Sequence, residues 1–224
     1  MKSFKKNILF CLTALCTVAF LLTGCMSKDP VQTLHESLEK IVELEKPFRK
    51  AQKSLKTLEQ AEGKLYKKMI KLNMDEFGQM IKLSNQALKQ AEKRQGHLNL
   101  EKESIEKAKK EFETAQSLVG KIDDQKIKRK AKKLISQMEK RYQAYDQFYK
   151  NYQKAIDLDK QLYKLMQNKQ LKLQDLEEQL KSINEKYKDV LKQNVAFNDY
   201  TTKYNKVRKD FYKNCGFDIT EKST

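Results

Sequence analysis

Proline and glycine are scarce in this sequence, with 2 Pro and 6 Gly among 224 residues. Strand-rich folds need frequent turns, and turns draw heavily on these two residue types. Their scarcity argues against a fold of many short strands and favours long helices. Pro47 falls inside a helical pattern, where we expect it to kink the helix and not to end it, because the apolar periodicity resumes beyond it.

The residue types that build active sites are also scarce. His35 and His97 are the only histidines and fall on different predicted helices, and the sequence contains neither a glycine-rich phosphate loop nor a Cys/His cluster. Catalysis needs a convergent acid, base or nucleophile, and a metal centre needs clustered ligands. A two-lobed α/β pattern, expected of a solute-binding transport subunit, is missing too. We therefore predict a non-enzymatic protein with no catalytic residues, no metal site and no cofactor.

The first 24 residues contain no acidic side chain and a single short hydrophobic run. Three lysines within the first six residues precede the apolar run Ile8–Leu22, which is too short for a comfortable membrane span and has the build of an export signal. The run ends in Leu22-Thr23-Gly24-Cys25. A bulky aliphatic residue, two small residues and a cysteine form the pattern of a bacterial lipobox. An ordinary secretory signal with a coincidental cysteine is the alternative.

This pattern predicts a processing route and a location. Residues 1–24 are removed as a signal peptide, the Cys25 thiol carries diacylglycerol, and residues 25–29 form a short tether that holds the protein on the outer face of a bacterial cell membrane. Two of the four cysteines leave with the signal and one is lipidated, so Cys215 has no internal disulfide partner. We expect Cys215 to be a small half-buried residue beside a helix C-cap, with an intermolecular disulfide as the alternative.

Acidic residues are outnumbered by basic ones. Lys and Arg total 47 against 30 Asp and Glu, a formal net charge of +17 that falls to +14 when the three signal lysines are removed. Charged residues make up 34% of the chain and the mean hydropathy is −0.83, values that would permit disorder in a chain without apolar periodicity. Outside a bacterial membrane the available polyanions are anionic lipid headgroups and teichoic-acid phosphates, so nucleic acid is not expected as a partner.

Capping signals divide the mature chain into four helical segments of nearly equal length. Asp29, Asn73 and Asp124 can each accept hydrogen bonds from the first turn of a helix. The third turn is expected at residues 168–170, where neither Gly nor Pro marks it. Two longer helices, unbroken at Asn73 or at Asn168, are the structural alternative.

The predicted helix ends complete the architecture. Gly120 is a C-cap candidate, and Asn214-Cys215-Gly216 ends the last segment. Segments of equal length joined by short turns must run antiparallel to their neighbours. We therefore predict an all-α fold, an elongated up-down four-helix bundle with coiled-coil-like packing over residues 30–214, followed by a tail at 215–224.

Apolar residues recur at alternating spacings of three and four along the segments, which is the helical signal. The spacing is strict in the third segment, and a second row widens its apolar face as a bundle requires. In the fourth segment Ile183 and Phe197 are predicted core residues. Polar residues at seam positions are predicted to fix the register between helices. These polar seam residues are Arg141, Asp159, Asn194, Thr201 and Arg208.

The third segment also carries the densest aromatic group of the chain. Aromatic faces stack on sugars, so a glycan site is one interpretation; core packing, with hydroxyls reaching the rim, is the interpretation we favour. The members of this group are Tyr142, Tyr145, Phe148, Tyr149 and Tyr152.

Three stretches, together with the lipobox, carry a resemblance to a known family. They are residues 102–112 (KESIEKAKKEF), the aromatic row at 141–152, and Ile183-Asn184-Glu185-Lys186-Tyr187 with Tyr204-Asn205 downstream. They resemble the YkyA-like family of cell-wall-binding lipoproteins of Firmicutes over nearly the whole mature chain. The resemblance implies an all-helical fold and an envelope location, and it brings no site residue beyond the lipid acceptor Cys25.

A basic cluster at the start of the third segment is the candidate contact with polyanions. The fold brings the end of the fourth segment, with Lys206, Arg208, Lys209 and Lys213, to the same place. We predict a non-enzymatic cell-surface lipoprotein that binds teichoic acid, peptidoglycan or anionic lipid. The alternative is a helical scaffold or adaptor for an envelope protein. The cluster consists of Lys126, Lys128, Arg129, Lys130, Lys132 and Lys133.

Overall fold

The structure is a computed structural model and describes residues 29–218. The predicted signal peptide, Cys25 and most of the tether lie outside the described residues, as does the end of the tail at 219–224. The helices form an all-α bundle, and no strand occurs within residues 29–218. The predicted fold class is confirmed. The helices are α1 (Pro30–Leu44), α2 (Lys46–Met69), α3 (Phe77–Val119), α4 (Gln125–Leu165) and α5 (Leu173–Cys215), with a 3₁₀ turn at Met74–Glu76.

The capping residues act where the sequence predicts them. The Asp29 carboxylate accepts a hydrogen bond from the Val31 amide at 3.0 Å, and Asp124 Oδ1 accepts from the amides of Lys126 and Ile127. Asn73 starts a capping box with Glu76, whose carboxylate accepts from the Asn73 amide. These side chains satisfy amides that a helix N-terminus leaves unpaired. The chain therefore breaks at Asn73 and again between α4 and α5, and the alternative of two longer helices is wrong.

At α5's C-terminus, Gly216 adopts φ 73°, a left-handed conformation that glycine enters without the steric cost of a side chain. Cys215, just before it, is half-buried and free. Burial, followed by the charges of Asp29 and Asp124, raises the pKa of its thiol to about 11.

The first arm of the bundle is α1 and α2, separated only by Glu45. Pro47 has no amide hydrogen, and Glu45 takes φ −87° and ψ 0° where the helical path is broken. Ser104 of α3 fills the break: its hydroxyl donates to the Leu44 carbonyl at 2.6 Å and accepts from the Phe48 amide at 3.2 Å. The expected kink at Pro47 is thus a one-residue interruption held by a neighbouring helix.

The bundle has four arms, which are α1 with α2, then α3, α4 and α5, and they pack unevenly. The extended backbone contacts are between α4 and α5, between α3 and both α1 and α2, and between α3 and α4. No comparable approach joins the backbones of α2 and α5 within the described chain. The end of the bundle that holds Asp29 is here called the Asp29 end. Toward this end, side-chain contacts cover the side between the first arm and α5. The His35 ring lies 4.7 Å from that of Tyr212, and Phe48 packs edge-on against Phe197.

Burial along the helices reflects this uneven packing. The strict three-four series of α4 is buried from Ala131 to Met166. The series of α5 is buried without a break only from Tyr204 to Phe211, whereas Leu173 is 70% exposed and Leu176 and Leu180 are half-buried. Ile183 and Phe197 are both buried, as predicted. The first half of α5 therefore leaves one flank of the bundle open.

Candidate functional site

An elongated groove of about 880 Å³ lies between α2 and α5, on the open flank of the bundle. We call it the α2–α5 groove. On α2 it extends from Gln52 to Tyr66, which is roughly 20 Å at 1.5 Å per residue. The side chains of α3 and α4 form its floor. Aliphatic and aromatic side chains of α2, α4 and α5 line the groove as well, and include Leu55, Phe148, Leu162, Leu180, Ile183 and Val190.

The floor of the groove holds a buried polar network around Arg94 of α3. Its guanidinium donates to Asp159 at 2.5 Å and to the Tyr187 hydroxyl at 2.8 Å, and it lies 3.4 Å from a carboxylate oxygen of Glu62. The Tyr187 hydroxyl also donates to Asp159 at 2.5 Å, and that of Tyr163 donates to Glu62 at 2.8 Å. The network therefore joins α2, α3, α4 and α5 at one level of the bundle.

Four carboxylates but only two cations line this groove, in a protein that is otherwise strongly basic. The cations are Lys56 and Arg94. Arg94 already contacts Asp159 and Glu62, so the acidic residues are in excess. The Tyr152 hydroxyl donates to Glu59. The four carboxylates belong to Glu59, Glu62, Glu101 and Asp159.

Glu101 is the most unusual of these residues. It lies on the groove floor with 0% of its surface exposed, and neither of its carboxylate oxygens has a hydrogen-bond partner among the described residues. Burial, reinforced by the charge of Glu59, raises the pKa of Glu101 to about 8. A buried carboxylate without a donor is costly, so Glu101 retains a proton near neutral pH.

Glu62 and Asp159 are shifted in the same direction. Burial raises the pKa of Glu62 to about 7 against the opposing pull of Arg94, and burial also raises the pKa of Asp159. For Arg94, burial acts to lower the pKa, but the surrounding acidic groups, Tyr187 and Glu62 first, raise it overall. The groove thus combines a permanent cation with carboxyl groups that exchange protons near neutral pH.

A second buried ion pair lies closer to the Asp29 end. Arg141 donates two hydrogen bonds to Glu45, at 2.6 and 2.8 Å, and a third to the Thr201 hydroxyl at 3.0 Å. Its guanidinium also stacks 4.9 Å from the Phe197 ring. This geometry ties α4 to the kink of the first arm and to α5, which agrees with the predicted role of seam polar residues in helix register. Asp159 has the same joining role at the groove, while Asn194 lies half-buried on the groove wall.

The predicted basic cluster lies at the Asp29 end, at the start of α4. Lys126, Arg129, Lys132 and Lys133 are exposed. The other two members, Lys128 and Lys130, are partly covered because their amines bond the Gly120 carbonyl at 2.8 Å and the Asp210 carboxylate at 2.5 Å.

The end of α5 adds to this basic surface. Lys206, Lys209 and Lys213 are exposed there. Arg208 is different: it is only 6% exposed and stacks on the rings of Tyr204 and Tyr212. Including Arg208 in the basic surface is therefore wrong, because its guanidinium is occupied inside the bundle.

The aromatic group of α4 is mainly core. Tyr142, Tyr145, Phe148 and Tyr152 are buried, and only Tyr149 is half-exposed, with its hydroxyl donating to Asn99 at 3.3 Å. The packing interpretation of this group is confirmed, although Phe148 and Tyr152 also reach the groove.

The two histidines lie apart. His35 is on α1, stacked on Phe217, and His97 is half-buried on α3. Between residues 29 and 218, no three His, Cys, Asp or Glu side chains are grouped as metal ligands.

Sequence reasoning missed most of the groove's polar residues, although a signal for them exists. On α3 the buried positions follow strict three-four spacing from Ser84 to Val119, and Arg94 and Glu101 occupy two positions of that series. Glu62 holds the equivalent place on α2, seven residues after Leu55 and seven before Met69. A charged residue at a position where the three-four spacing predicts an apolar one thus marks a buried polar group.

The comparisons with known proteins agree with this architecture. A family model described as "Putative cell-wall binding lipoprotein" matches residues 29–214. The chain belongs to the YkyA family. A relative from Bacillus subtilis (strain 168), "Uncharacterized lipoprotein YkyA", is 45% identical over 206 residues, which cover 92% of each chain. The resemblance inferred from the sequence is confirmed.

A solved structure shares the fold. It is the 1.6 Å crystal structure of a conserved protein of unknown function from Staphylococcus aureus. The match has a TM-score of 0.63 at 22% identity and covers 81% of this chain and 91% of that one. At this identity the likeness concerns the fold alone.

Membership of the YkyA family makes this chain one of a group of lipoproteins with a cell-envelope association. None of the helices in the described part of the chain has the length and apolar character needed to cross a membrane. The lipid acceptor predicted for this family member, Cys25, precedes the described residues and stays a prediction.

Proposed function

We propose that this protein is a non-enzymatic lipoprotein, anchored through Cys25 on the outer face of the cell membrane, whose Asp29 end contacts anionic envelope components. The supporting observation is topological. The start of α1, the start of α4 and the end of α5 share one end of the bundle, where the charge of Asp29 acts on Cys215 and Lys130 pairs with Asp210. A lipid on Cys25, four residues before Asp29, keeps this end within about 15 Å of the membrane.

The exposed charge at this end suits a phosphate-rich surface. Lys126, Arg129, Lys132 and Lys133 project from α4, and lysines of α5 add to them. A basic residue close to an anionic membrane contributes about 1 kcal/mol, and salt screens this attraction within roughly a Debye length. Anionic headgroups and teichoic-acid phosphates present the same chemistry. The far end of the bundle would then point outward.

A second candidate function is a scaffold for an envelope protein. Leu191 and Val195 are one helical turn apart on α5 and are 62% and 68% exposed. Exposed aliphatic side chains beside a groove offer a surface for a protein partner. A pull-down with purified cell wall that salt disrupts supports the first function, and a protein partner retained at high salt supports the second.

The basic surface is tested with mature chain carrying Cys25→Ser, so that no lipid contributes, and vesicles containing phosphatidylglycerol. Changing Lys126, Arg129, Lys132 and Lys133 to Gln should abolish binding at low salt. Lys128 and Lys130 are left unchanged because their amines hold the bundle end together.

A matched control places the same charge loss at the far end of the bundle. Lys64, Lys67, Lys68 and Lys71 are exposed there, and changing them to Gln should weaken vesicle binding much less. Equal losses from the two sets would mean that only net charge acts, and would overturn the oriented-end proposal. Replacing the vesicles with purified teichoic acid distinguishes the two sources of phosphate.

A further inference from the structure

The unmet bonding capacity of the buried lining of the α2–α5 groove is mainly acceptor capacity. Both oxygens of Glu101 lack hydrogen-bond donors, and one oxygen of Glu62 has only the Arg94 guanidinium 3.4 Å away, whereas the unpaired donor among these buried groups is Arg94 Nε. The tyrosine hydroxyls of the floor are already used, since Tyr163 donates to Glu62 and Tyr187 to Asp159. A ligand that completes this site must therefore bring donors, and a positive charge is favoured because the carboxylates outnumber the cations.

The shape and walls of the groove restrict the ligand further. It is long, roughly 20 Å along α2, and partly open to solvent. Leu55, Leu162, Leu180 and Ile183 line it with aliphatic surface that suits methylene groups. An aliphatic chain with amino groups at intervals matches both the apolar walls and the acidic floor.

We propose that the α2–α5 groove binds a linear aliphatic polyamine, whose ammonium groups pair with the exposed carboxylate of Glu59 and with that of Glu101, which turns from its buried position toward the ligand. An ammonium group supplies three N–H donors, and charge-assisted hydrogen bonds to carboxylates are the stronger kind. Arg94 holds Asp159 and orients the floor without occupying the Glu101 carboxylate. This site is separate from the basic surface at the Asp29 end, so neither proposal depends on the other.

The proposed binding releases protons. Glu101 faces Glu59 of α2 and Tyr145 of α4, while Glu62 faces Arg94 of α3, Asp159 and Tyr163 of α4 and Tyr187 of α5. Glu101 holds a proton in the empty groove near pH 6, and an ammonium ion takes the place of that proton. Spermidine should therefore bind more tightly at pH 8 than at pH 6, with proton release into the buffer.

The test is calorimetric titration of the full mature chain with spermidine, in buffers of different ionisation enthalpy. The expected result is a single saturable site at pH 8 that Glu101→Gln weakens at least tenfold. The matched control, Glu103→Gln, removes an exposed carboxylate two residues away on the same helix and should leave binding unchanged. N1,N8-diacetylspermidine keeps the chain length but caps both primary amines, and should bind at least tenfold more weakly than spermidine.

Two results overturn the proposal. One is equal binding of spermidine and its diacetyl form, and the other is the same affinity in Glu101→Gln as in the unmodified chain. Misfolding is checked independently by thermal unfolding, since Glu101→Gln removes a buried ionisable group and should unfold at no lower temperature at pH 8. A variant that keeps its fold and still binds spermidine would show that the acceptors on the floor do not recognise the amine.

Discussion

The hydroxyl of Ser104 lies 2.6 Å from the carbonyl oxygen of Leu44 and donates a hydrogen bond to it across two helices. Pro47 has no amide hydrogen and interrupts the first arm, and this hydroxyl bridges the Leu44 carbonyl and the Phe48 amide beside the interruption. The same kink turns Glu45 inward, where it pairs with Arg141 on the opposite side of the bundle. The interruption of the helix at Glu45 thus places a carboxylate inside the bundle, where the buried ion pair with Arg141 joins the first arm to α4.

Ser104→Ala should destabilise the bundle by about 1–3 kcal/mol, because it leaves the Leu44 carbonyl and the Phe48 amide without their partner in a buried place. Chemical denaturation measures the change. Ser182→Ala is the control, since Ser182 is exposed and bonds only the Glu178 carbonyl of its own helix. A loss no larger than that of the control would show that the break is stable without Ser104.

Phe197→Ala should cost roughly 3–5 kcal/mol of unfolding free energy, because the ring packs against Phe48, Tyr145 and the guanidinium of Arg141. Ile183→Ala should cost about 2 kcal/mol, at the low end for its type, since this buried side chain borders the groove on one side. Val195→Ala, at a site 68% exposed, should stay within about 0.5 kcal/mol. Finding both core changes tolerated would contradict the register of α5.

Stability should fall as the pH rises from about 5 to 8. The pKa values of Glu62 and Glu101 are about 7 and 8 in the fold, above their ordinary 4.5, so the folded state binds more protons than the unfolded state in this range. The contribution of these two protonated carboxyl groups to the free energy of unfolding is complete below pH 4.5. It is lost as the groups ionise in the folded state.

Glu101→Gln removes the part of this loss of stability at high pH that comes from the ionisation of Glu101. It should stabilise the protein at pH 8.5 by a few kcal/mol, at about 1.4 kcal/mol for each unit of pKa, and by much less at pH 5. Thermal unfolding at the two pH values provides the comparison. A constant difference between the two proteins at both pH values would mean that Glu101 does not hold its proton in the fold.

Cys25→Ala should block lipidation and leave unprocessed precursor or shed protein. Two acyl chains hold a protein stably at a membrane, and without them the predicted anchor is lost. Cell fractionation with detection of the precursor and mature sizes is the measurement. Normal membrane retention of mature-sized Cys25→Ala protein would rule out the lipid anchor.

The sequence by itself determined the bundle. Asp29, Asn73 and Asp124 each mark a helix start because their side chains accept bonds from free amides, which is a local interaction. The three-four spacing fixes which face of each helix is buried, and it is complete on α4 from Ala131 to Met166. Short connections then require antiparallel neighbours, so the architecture follows from local rules.

Only the tertiary structure decided which flank stays open and what lies on its floor. Periodicity shows that Glu62, Arg94 and Glu101 occupy inward positions, but it does not show which neighbouring helix each one faces. That depends on how deeply α5 packs, and α5 follows α4 closely while leaving α2 apart. A carboxylate gains or loses its proton through burial and nearby charges, which come together only when the helices are assembled.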